Sequence, residues 1–147
     1  FGHLWPSARG LCEHLAKYPI ESSGAQKVIE VGCGLAIPSL YLAQHVKLSK
    51  ILATDFHPEV SAFFEENVRL NSISPDRLSY RELNWRVPDS SLGKFSIVMG
   101  SDILYEKQHP SEVADALEKL ARHDSKILIA DPVRPYLQSF VDEMKAR

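Results

Sequence analysis

The sequence predicts an α/β domain with a mostly parallel, doubly wound sheet and helices on both of its faces. Short β-branched runs alternate with longer stretches of helical periodicity, which is the order expected of a parallel sheet. A glycine turn joins the first of these runs to a helix, as in Rossmann-like folds. The 147 residues are 44% hydrophobic and 24% charged, so a folded domain is favoured over a disordered chain.

The first part of the chain predicts two helices and two strands. Residues 7–18 are amphipathic and predict a helix. The β-branched run at 27–31 predicts the first strand, and 50–54 predicts the second. Between them lies a predicted helix, 37–46, in which Pro38 is tolerated because it falls in the first turn.

The same alternation continues to the end of the chain. Val60, Phe64 and Val68 recur at the spacing of one buried helix face, and so do Val113 and Leu117. The remaining predicted elements are helix 59–70, strand 77–83, strand 95–100, helix 110–122, strand 126–130 and helix 135–145. Ligands of such sheets bind where the strands end, so we expect the chemistry to lie just after Val31, Thr54, Leu83 and Gly100.

Charge and cysteine usage exclude several kinds of partner. The formal net charge of −2 without a basic cluster disfavours nucleic acid. Cys12 and Cys33 form no metal-binding spacing with the histidines, so we expect neither a metal site nor a disulfide. No apolar run reaches the roughly 20 residues of a membrane helix, and no signal peptide is recognisable. We therefore expect a cytoplasmic location, with the nucleus as an alternative, and the start at Phe1 without Met indicates a fragment.

The turn after the first strand is the most informative stretch. Gly32 and Gly34 allow a ligand to approach the backbone closely. A dinucleotide site requires a glycine where this sequence has Ile37. Glu30, two residues before the turn, suits a cationic amino acid, and Asp55 at the end of the second strand can accept both hydroxyls of a ribose. The pattern favours a nucleoside with a cationic amino acid over a dinucleotide.

The turn resembles motif I of the seven-strand S-adenosylmethionine methyltransferases. Residues 30–40 are similar to the version in methyltransferase family 16, which contains many protein-lysine methyltransferases. Further matches are a G-x-x-x-W-x-x-A-like opening at 1–8 with one residue fewer, 54–56, 67–71, an L-D-W-like segment at 83–85 and an A-D-x-x-Y-like segment at 101–105. The resemblance implies a single methyltransferase domain, 1–147, with a helical segment at 1–24 and a cofactor-binding core at 25–147.

The resemblance also implies a set of cofactor contacts. Glu30 is expected near the methionine amino group, Asp55 on the ribose and Phe56 against the adenine, while Trp5 closes over the methionine end. The full implied set is Trp5, Glu30, Gly32, Gly34, Asp55, Phe56, Asn84, Trp85 and Ser101. Ordinary core packing is the alternative for the aromatic members, since such rings are often buried.

Asp102 and Tyr105 are the implied catalytic residues, because they follow the fourth strand, where the acceptor meets the methyl group. Asp102 can hold a cationic acceptor, and Tyr105 can donate a hydrogen bond or form the channel wall. A carboxylate favours the ammonium form of lysine, so we expect Asp102 to position the substrate and not to act as general base. We expect His57 and His109, which precede prolines, to be solvated or to cap helices.

The sequence departs from the family pattern in four places. Ala36 and Ser39 stand where the motif has glycines, and Asn84 replaces the usual Asp. The final β-hairpin of the family does not follow, since the chain stops at Arg147. We therefore expect one edge of the sheet to lack its usual neighbours.

The expected function is methylation of a lysine on a protein partner, with S-adenosylmethionine as cofactor and S-adenosylhomocysteine as product. Methylation of a small molecule or RNA is the alternative within the class, although the two prolines of the N/D-P-P-Y motif of amino-base enzymes are missing at 102–105. A non-catalytic cofactor-binding module is the alternative from another class. The sequence leaves the oligomeric state and the acceptor open.

Overall fold

The computed structural model describes residues 2–20, 26–47, 50–87 and 89–147. The elements in chain order are α1 (Pro6–Lys17), β1 (Lys27–Val31), α2 (Ile37–His45), β2 (Lys50–Asp55), α3 (Val60–Leu70), β3 (Leu78–Glu82), a 3-10 turn (Ser90–Leu92), β4 (Phe95–Ser101), α4 (His109–Leu120), β5 (Ala121–Ala130) and α5 (Leu137–Lys145). Every predicted strand and helix is present. None of the helices in the described ranges is long and apolar enough to cross a membrane.

The five strands form one parallel sheet in the order β3-β2-β1-β4-β5. This confirms the predicted doubly wound α/β fold. The strand order reverses beside β1, whose last residue Val31 pairs with Thr54 of β2 on one side and Gly100 of β4 on the other. Because the strands are parallel, the turns that follow them gather at one edge of the sheet, where ligands of this fold bind.

The sheet separates two apolar cores. Val28 of β1 faces the core under α1, α2 and α3, whereas Ile29 and Val31 face the core under α4 and α5. This follows from the two-residue period of a strand. The same period places Glu30 on the face of Val28, beneath α2.

The last strand begins earlier than the sequence predicts. Helix α4 ends at Leu120, and Ala121 already pairs with Phe95 of β4. The predicted helix 110–122 was therefore wrong at its last two residues, and the predicted strand 126–130 began five residues too late. The register between the strands shifts after Phe95, and Ser125 Oγ donates to Phe95 O at 2.6 Å. Long-range pairing overrides the polar, weakly strand-like sequence at 122–126.

Candidate active site

A cavity of about 930 Å³ lies at the carboxyl ends of the strands. Its wall is formed by the N-terminal segment and by the turns that follow β1, β2, β3, β4 and β5. The predicted site residues on the wall are Trp5, Gly32, Gly34, Asp55, Phe56, Asn84, Trp85, Ser101, Asp102 and Tyr105. Glu30 does not occur among the described lining residues.

The turn between β1 and α2 requires its glycines for two reasons. A Cβ on Gly32 would lie 2.7 Å from Ile103 Cγ2 and 3.0 Å from the Trp85 ring, and Gly32 also has a positive φ of 63°. Gly34 has a φ of 50°, and a Cβ there would meet nothing within 4 Å, so this glycine faces open space. Ala36 adopts a left-handed φ of 56° at the start of α2. That conformation explains why the family motif has glycine at this position.

Asp55 fastens the glycine turn to the turn after β2. Its Oδ2 accepts the backbone N–H of Gly34 at 2.9 Å, and its Oδ1 accepts the backbone N–H of His57 at 2.9 Å. A carboxylate oxygen can accept more than one hydrogen bond, so both oxygens keep capacity for hydroxyl donors. Cys33 N donates to Thr54 O at 2.9 Å and joins the glycine turn to the end of β2.

Glu30 lies behind the glycine turn in the core. Its side chain is fully buried, and its Oε2 accepts hydrogen bonds from Ser39 N at 3.1 Å and from Ser39 Oγ. Its Oε1 is buried without a hydrogen-bond partner among the described residues. Burial raises the pKa of Glu30 to about 8, although the bonds from Ser39 act in the opposite direction. Ser39, one of the departures from the family motif, thus anchors this carboxyl group.

Aromatic side chains border the cavity after β2, after β3 and in the N-terminal segment. Trp85 lies over Gly32 and meets the His109 ring edge-on at a centroid distance of 5.2 Å. Phe56 is 60% exposed, so the alternative of ordinary core packing does not describe its position. Trp5 is 45% exposed and contacts the His3 ring at 5.8 Å. Such rings offer stacking surfaces to a planar ligand.

Asp102 also lines the cavity and is held there by a partner that the sequence did not predict. Its backbone has a positive φ of 58°, and its N–H donates to Ala130 O at 2.8 Å. Its Oδ1 accepts a hydrogen bond from the Arg134 guanidinium, which also lines the cavity. The Arg134 backbone N–H donates to Asp131 Oδ1 at 2.6 Å. Arg134 is not among the predicted site residues, because it follows the fifth strand and only the ends of the first four strands were expected to carry the chemistry.

His109 corrects the prediction of a solvated or capping histidine. The residue is only 3% exposed, and its ring packs edge-on against Tyr105 at a centroid distance of 4.4 Å. Burial lowers the pKa of His109 and raises the pKa of the Tyr105 hydroxyl. Both groups are therefore uncharged at neutral pH. The turn after β4 places the ring between Trp85 and Tyr105, and helix periodicity alone does not show this.

The residues present fit S-adenosylmethionine. A carboxylate at the end of β2 matches a ribose, exposed aromatic rings flank that end, and the Gly34 side of the turn is open space. Asn84 Oδ1 accepts the backbone N–H of Arg86 at 3.0 Å, which orients the carboxamide beside Trp85. The cavity volume is within the range of sites that hold ligands of this size.

A family model described as lysine methyltransferase matches residues 1–146. A calmodulin-lysine N-methyltransferase of Arabidopsis thaliana is 28% identical, over 96% of this chain and 48% of that protein. An electron transfer flavoprotein beta subunit lysine methyltransferase of Mus musculus is 27% identical, over 89% of this chain and 49% of that protein. The chain thus spans about half the length of the curated relatives it matches.

Solved structures agree on the fold. A precorrin-6y C5,15-methyltransferase from Geobacter metallireducens superposes with a TM-score of 0.74 at 15% identity, covering 94% of this chain and 69% of that one. A ribosomal protein L11 methylase from Lactobacillus delbrueckii subsp. bulgaricus has a TM-score of 0.73 at 17% identity, covering 99% and 69%. At these identities the likeness concerns the fold alone.

Proposed function

This chain belongs to the lysine methyltransferase family, and on that premise we propose that the protein uses S-adenosylmethionine to methylate a lysine side chain of another protein. The observation that carries the proposal is the single cavity that joins the glycine turn and Asp55 to Asp102 and Tyr105. A nucleoside bound at the glycine turn and Asp55 leaves Asp102 and Tyr105 available to contact the methyl acceptor.

Different residues of the chain are assigned to different parts of the cofactor. The ribose is assigned to Asp55, whose position is fixed by backbone N–H groups on either side. The adenine is assigned to the region of Phe56, Asn84 and Trp85. Glu30 is bonded to Ser39 in the first turn of α2 and is not among the described lining residues, so we assign it to holding that helix beside the cofactor.

The acceptor must arrive as a neutral amine. When bound, S-adenosylmethionine supplies a methyl group activated by positively charged sulfur. The amine lone pair forms the new N–C bond, and the electron pair of the broken C–S bond stays on sulfur. The lysine proton leaves to solvent beforehand, which at pH near 7.4 costs roughly 4 kcal/mol from a reference pKa of ≈10.4. We assign Asp102 and Tyr105 to the orientation of that amine, since positioning is the main demand of such a displacement.

Calorimetric titration tests the cofactor assignment. We expect S-adenosylmethionine and S-adenosylhomocysteine to bind and NAD to bind far more weakly. Asp55→Ala should weaken the binding of both sulfur nucleosides about tenfold or more, because hydrogen bonds to a charged acceptor are worth about 1.5–3 kcal/mol each. Glu59→Ala, at an exposed position four residues further on, is the matched control. Binding of NAD alone would contradict the proposal.

The acceptor is found by incubating the protein with radiolabelled S-adenosylmethionine and a cell lysate. We expect label on protein bands, and mass spectrometry should place the methyl groups on lysine. Label confined to RNA or to small molecules would replace the protein-lysine assignment with one of the other methyl acceptors.

A further inference from the structure

Asp102 does not stand as a free carboxylate on the cavity wall. Its side chain is only 5% exposed, and the Nε of Arg134 pairs with its Oδ1. Among the hydrogen bonds of the described residues, none is made by its other oxygen, Oδ2. Asp102 and Arg134 are 32 residues apart in sequence and meet because β4 and β5 are neighbours in the sheet.

The backbone holds both partners in place. Asp102 is tied to the end of β5 through its N–H bond to Ala130 O, and Arg134 is tied to Asp131 through its own N–H. Asp102 adopts a positive φ of 58°, and so does Val133, with φ 64°, directly before Arg134. Non-glycine residues in this region occur where the surrounding structure over-determines them, often at functional sites. The ion pair is therefore part of the fold of these two turns.

The charge of the pair matters because an acceptor lysine must be neutral to react. A lone buried carboxylate would hold the lysine as ammonium. The other titratable groups that act on the pair or line the cavity are Asp131, Tyr105, Glu106, Asp55, Arg86, His109, Glu82, His57, His3 and Cys33. Of these, Arg86 is already paired with Glu112 and lies near Glu106. Arg134 is thus the cation in direct contact with Asp102.

We infer that Arg134 is a positioning residue of the acceptor site, which fixes Asp102 through the ion pair and offsets the charge of that carboxylate. Oδ2 of Asp102 then orients the acceptor amine without retaining its proton. This inference rests on the proposed methyltransferase function and adds a residue to it.

The test compares the affinities for S-adenosylmethionine and S-adenosylhomocysteine, which differ in the positive charge on sulfur, and needs no acceptor. Arg134→Gln leaves an unpaired carboxylate, so the affinity ratio of the charged to the uncharged nucleoside should rise about tenfold, the order expected for one added unit charge in a partly screened site. Asp102→Asn leaves an unpaired guanidinium, so the ratio should fall by a similar factor.

Two further variants separate charge from shape. Arg134→Lys keeps the cation, and the double variant Asp102→Asn with Arg134→Gln removes both charges. In both we expect the ratio to stay within about threefold of the wild-type value. Calorimetric binding of S-adenosylhomocysteine shows in each case that the variant is folded. A purely structural role would lower both affinities together and would not give opposite signs in the two single variants.

Ratios that stay at the wild-type value in both Arg134→Gln and Asp102→Asn, with S-adenosylhomocysteine still bound, would overturn the inference while leaving the proposed function intact. A wild-type protein that binds neither nucleoside would overturn the proposed function itself.

Discussion

At the scale of single residues, Glu30 shows how burial can keep a carboxyl group in its neutral, protonated form. It is fully buried, its Oε2 receives two bonds from Ser39, and its pKa is about 8 against an ordinary value of 4.5. Because the pKa is higher in the folded state than in the unfolded chain, the protonated form stabilises the fold. This contribution is fully present below about pH 4.5 and is lost as the pH rises toward about 8.

Glu30→Gln should remove that dependence, because glutamine has the shape of the neutral acid and keeps an oxygen for Ser39. The difference in unfolding free energy between variant and wild type should grow by about 1.4 kcal/mol per pH unit from about pH 5 to 8. Urea unfolding across this range measures it, with Glu65→Gln at an exposed position as control. Parallel stability curves for Glu30→Gln and wild type would contradict the assignment of a neutral Glu30.

Asp102→Ala and Tyr105→Phe should separate binding from turnover. Neither residue is assigned to the ribose or the adenine, so affinity for S-adenosylhomocysteine should change little. Transfer to a verified protein acceptor should fall about a hundredfold in Asp102→Ala, since a displacement of even ~1 Å at the reacting centre has that effect. Tyr105→Phe removes the hydroxyl alone, and a mild loss would assign the ring to the channel wall. Wild-type turnover by Asp102→Ala would move the acceptor site elsewhere in the cavity.

The sequence predicted residues that follow strands better than it predicted side-chain partners. Asp55 and Asp102 could be placed because parallel strands bring their ends to one edge. The pairing of Asp102 with Arg134 could not be predicted, because it depends on which strand lies beside β4. The burial of His109 depends on how the turn after β4 folds back, and no periodicity encodes that turn.

At the scale of elements, the turn after β5 stores backbone strain. Val133 is 82% exposed and has a φ of 64°, a conformation that is rare for a β-branched residue. Its side chain contributes little packing, so the position is set by the residues around it, Arg134 among them. The left-handed conformation costs roughly 1–2 kcal/mol in most residues that have a Cβ. The cost is smallest in Asn and Gly.

Val133→Asn should therefore raise the stability of the domain by about 1 kcal/mol, or about 2–4 °C in Tm for a chain of this size. Val87→Asn is the matched control, because Val87 is 76% exposed and is absent from the positive-φ residues of the described chain. Differential scanning calorimetry measures both variants. If the Tm of Val133→Asn is equal to or lower than that of wild type, the left-handed conformation at this position has no cost in free energy for valine.

Element bounds were predictable where apolar periodicity defined them and not where pairing did. β1 has the predicted bounds because four of its five residues are buried and three of them, Val28, Ile29 and Val31, are β-branched. The polar first half of β5 has no such pattern, and its strand conformation comes from pairing with β4. In the described part of the chain β3 and β5 are the two edge strands.

At the scale of the whole molecule, the cavity is assembled from turns that belong to both halves of the sheet. A ligand there contacts the turns after β1, β2 and β3 as well as those after β4 and β5. Ligand binding should therefore stabilise the domain as one unit. S-adenosylhomocysteine at one hundred times its Kd should add about 2.7 kcal/mol, or roughly 5–10 °C in Tm.

The Tm shift should grow with the logarithm of the S-adenosylhomocysteine concentration and should be absent with NAD. Asp55→Ala should need about ten times more nucleoside for the same shift. Thermal unfolding, followed by circular dichroism, measures the Tm shift at each nucleoside concentration. A shift in only part of the unfolding signal would mean that the two halves of the sheet melt separately.

The Ile103 side chain limits substitution at two glycines of the sheet edge. It lies over two glycines at once, and a Cβ would come within 2.7 Å of it at Gly32 and equally at Gly100. An alanine at Gly100, where φ is not positive, is blocked mainly by the terminal methyl of Ile103 and by Val31. An added methyl group at Gly100 requires the flexible end of Ile103 to shift, whereas at Gly32 it would meet both Ile103 Cγ2 and the Trp85 ring on a backbone with a φ of 63°. We therefore expect an alanine at Gly32 to disturb the cavity wall more than an alanine at Gly100.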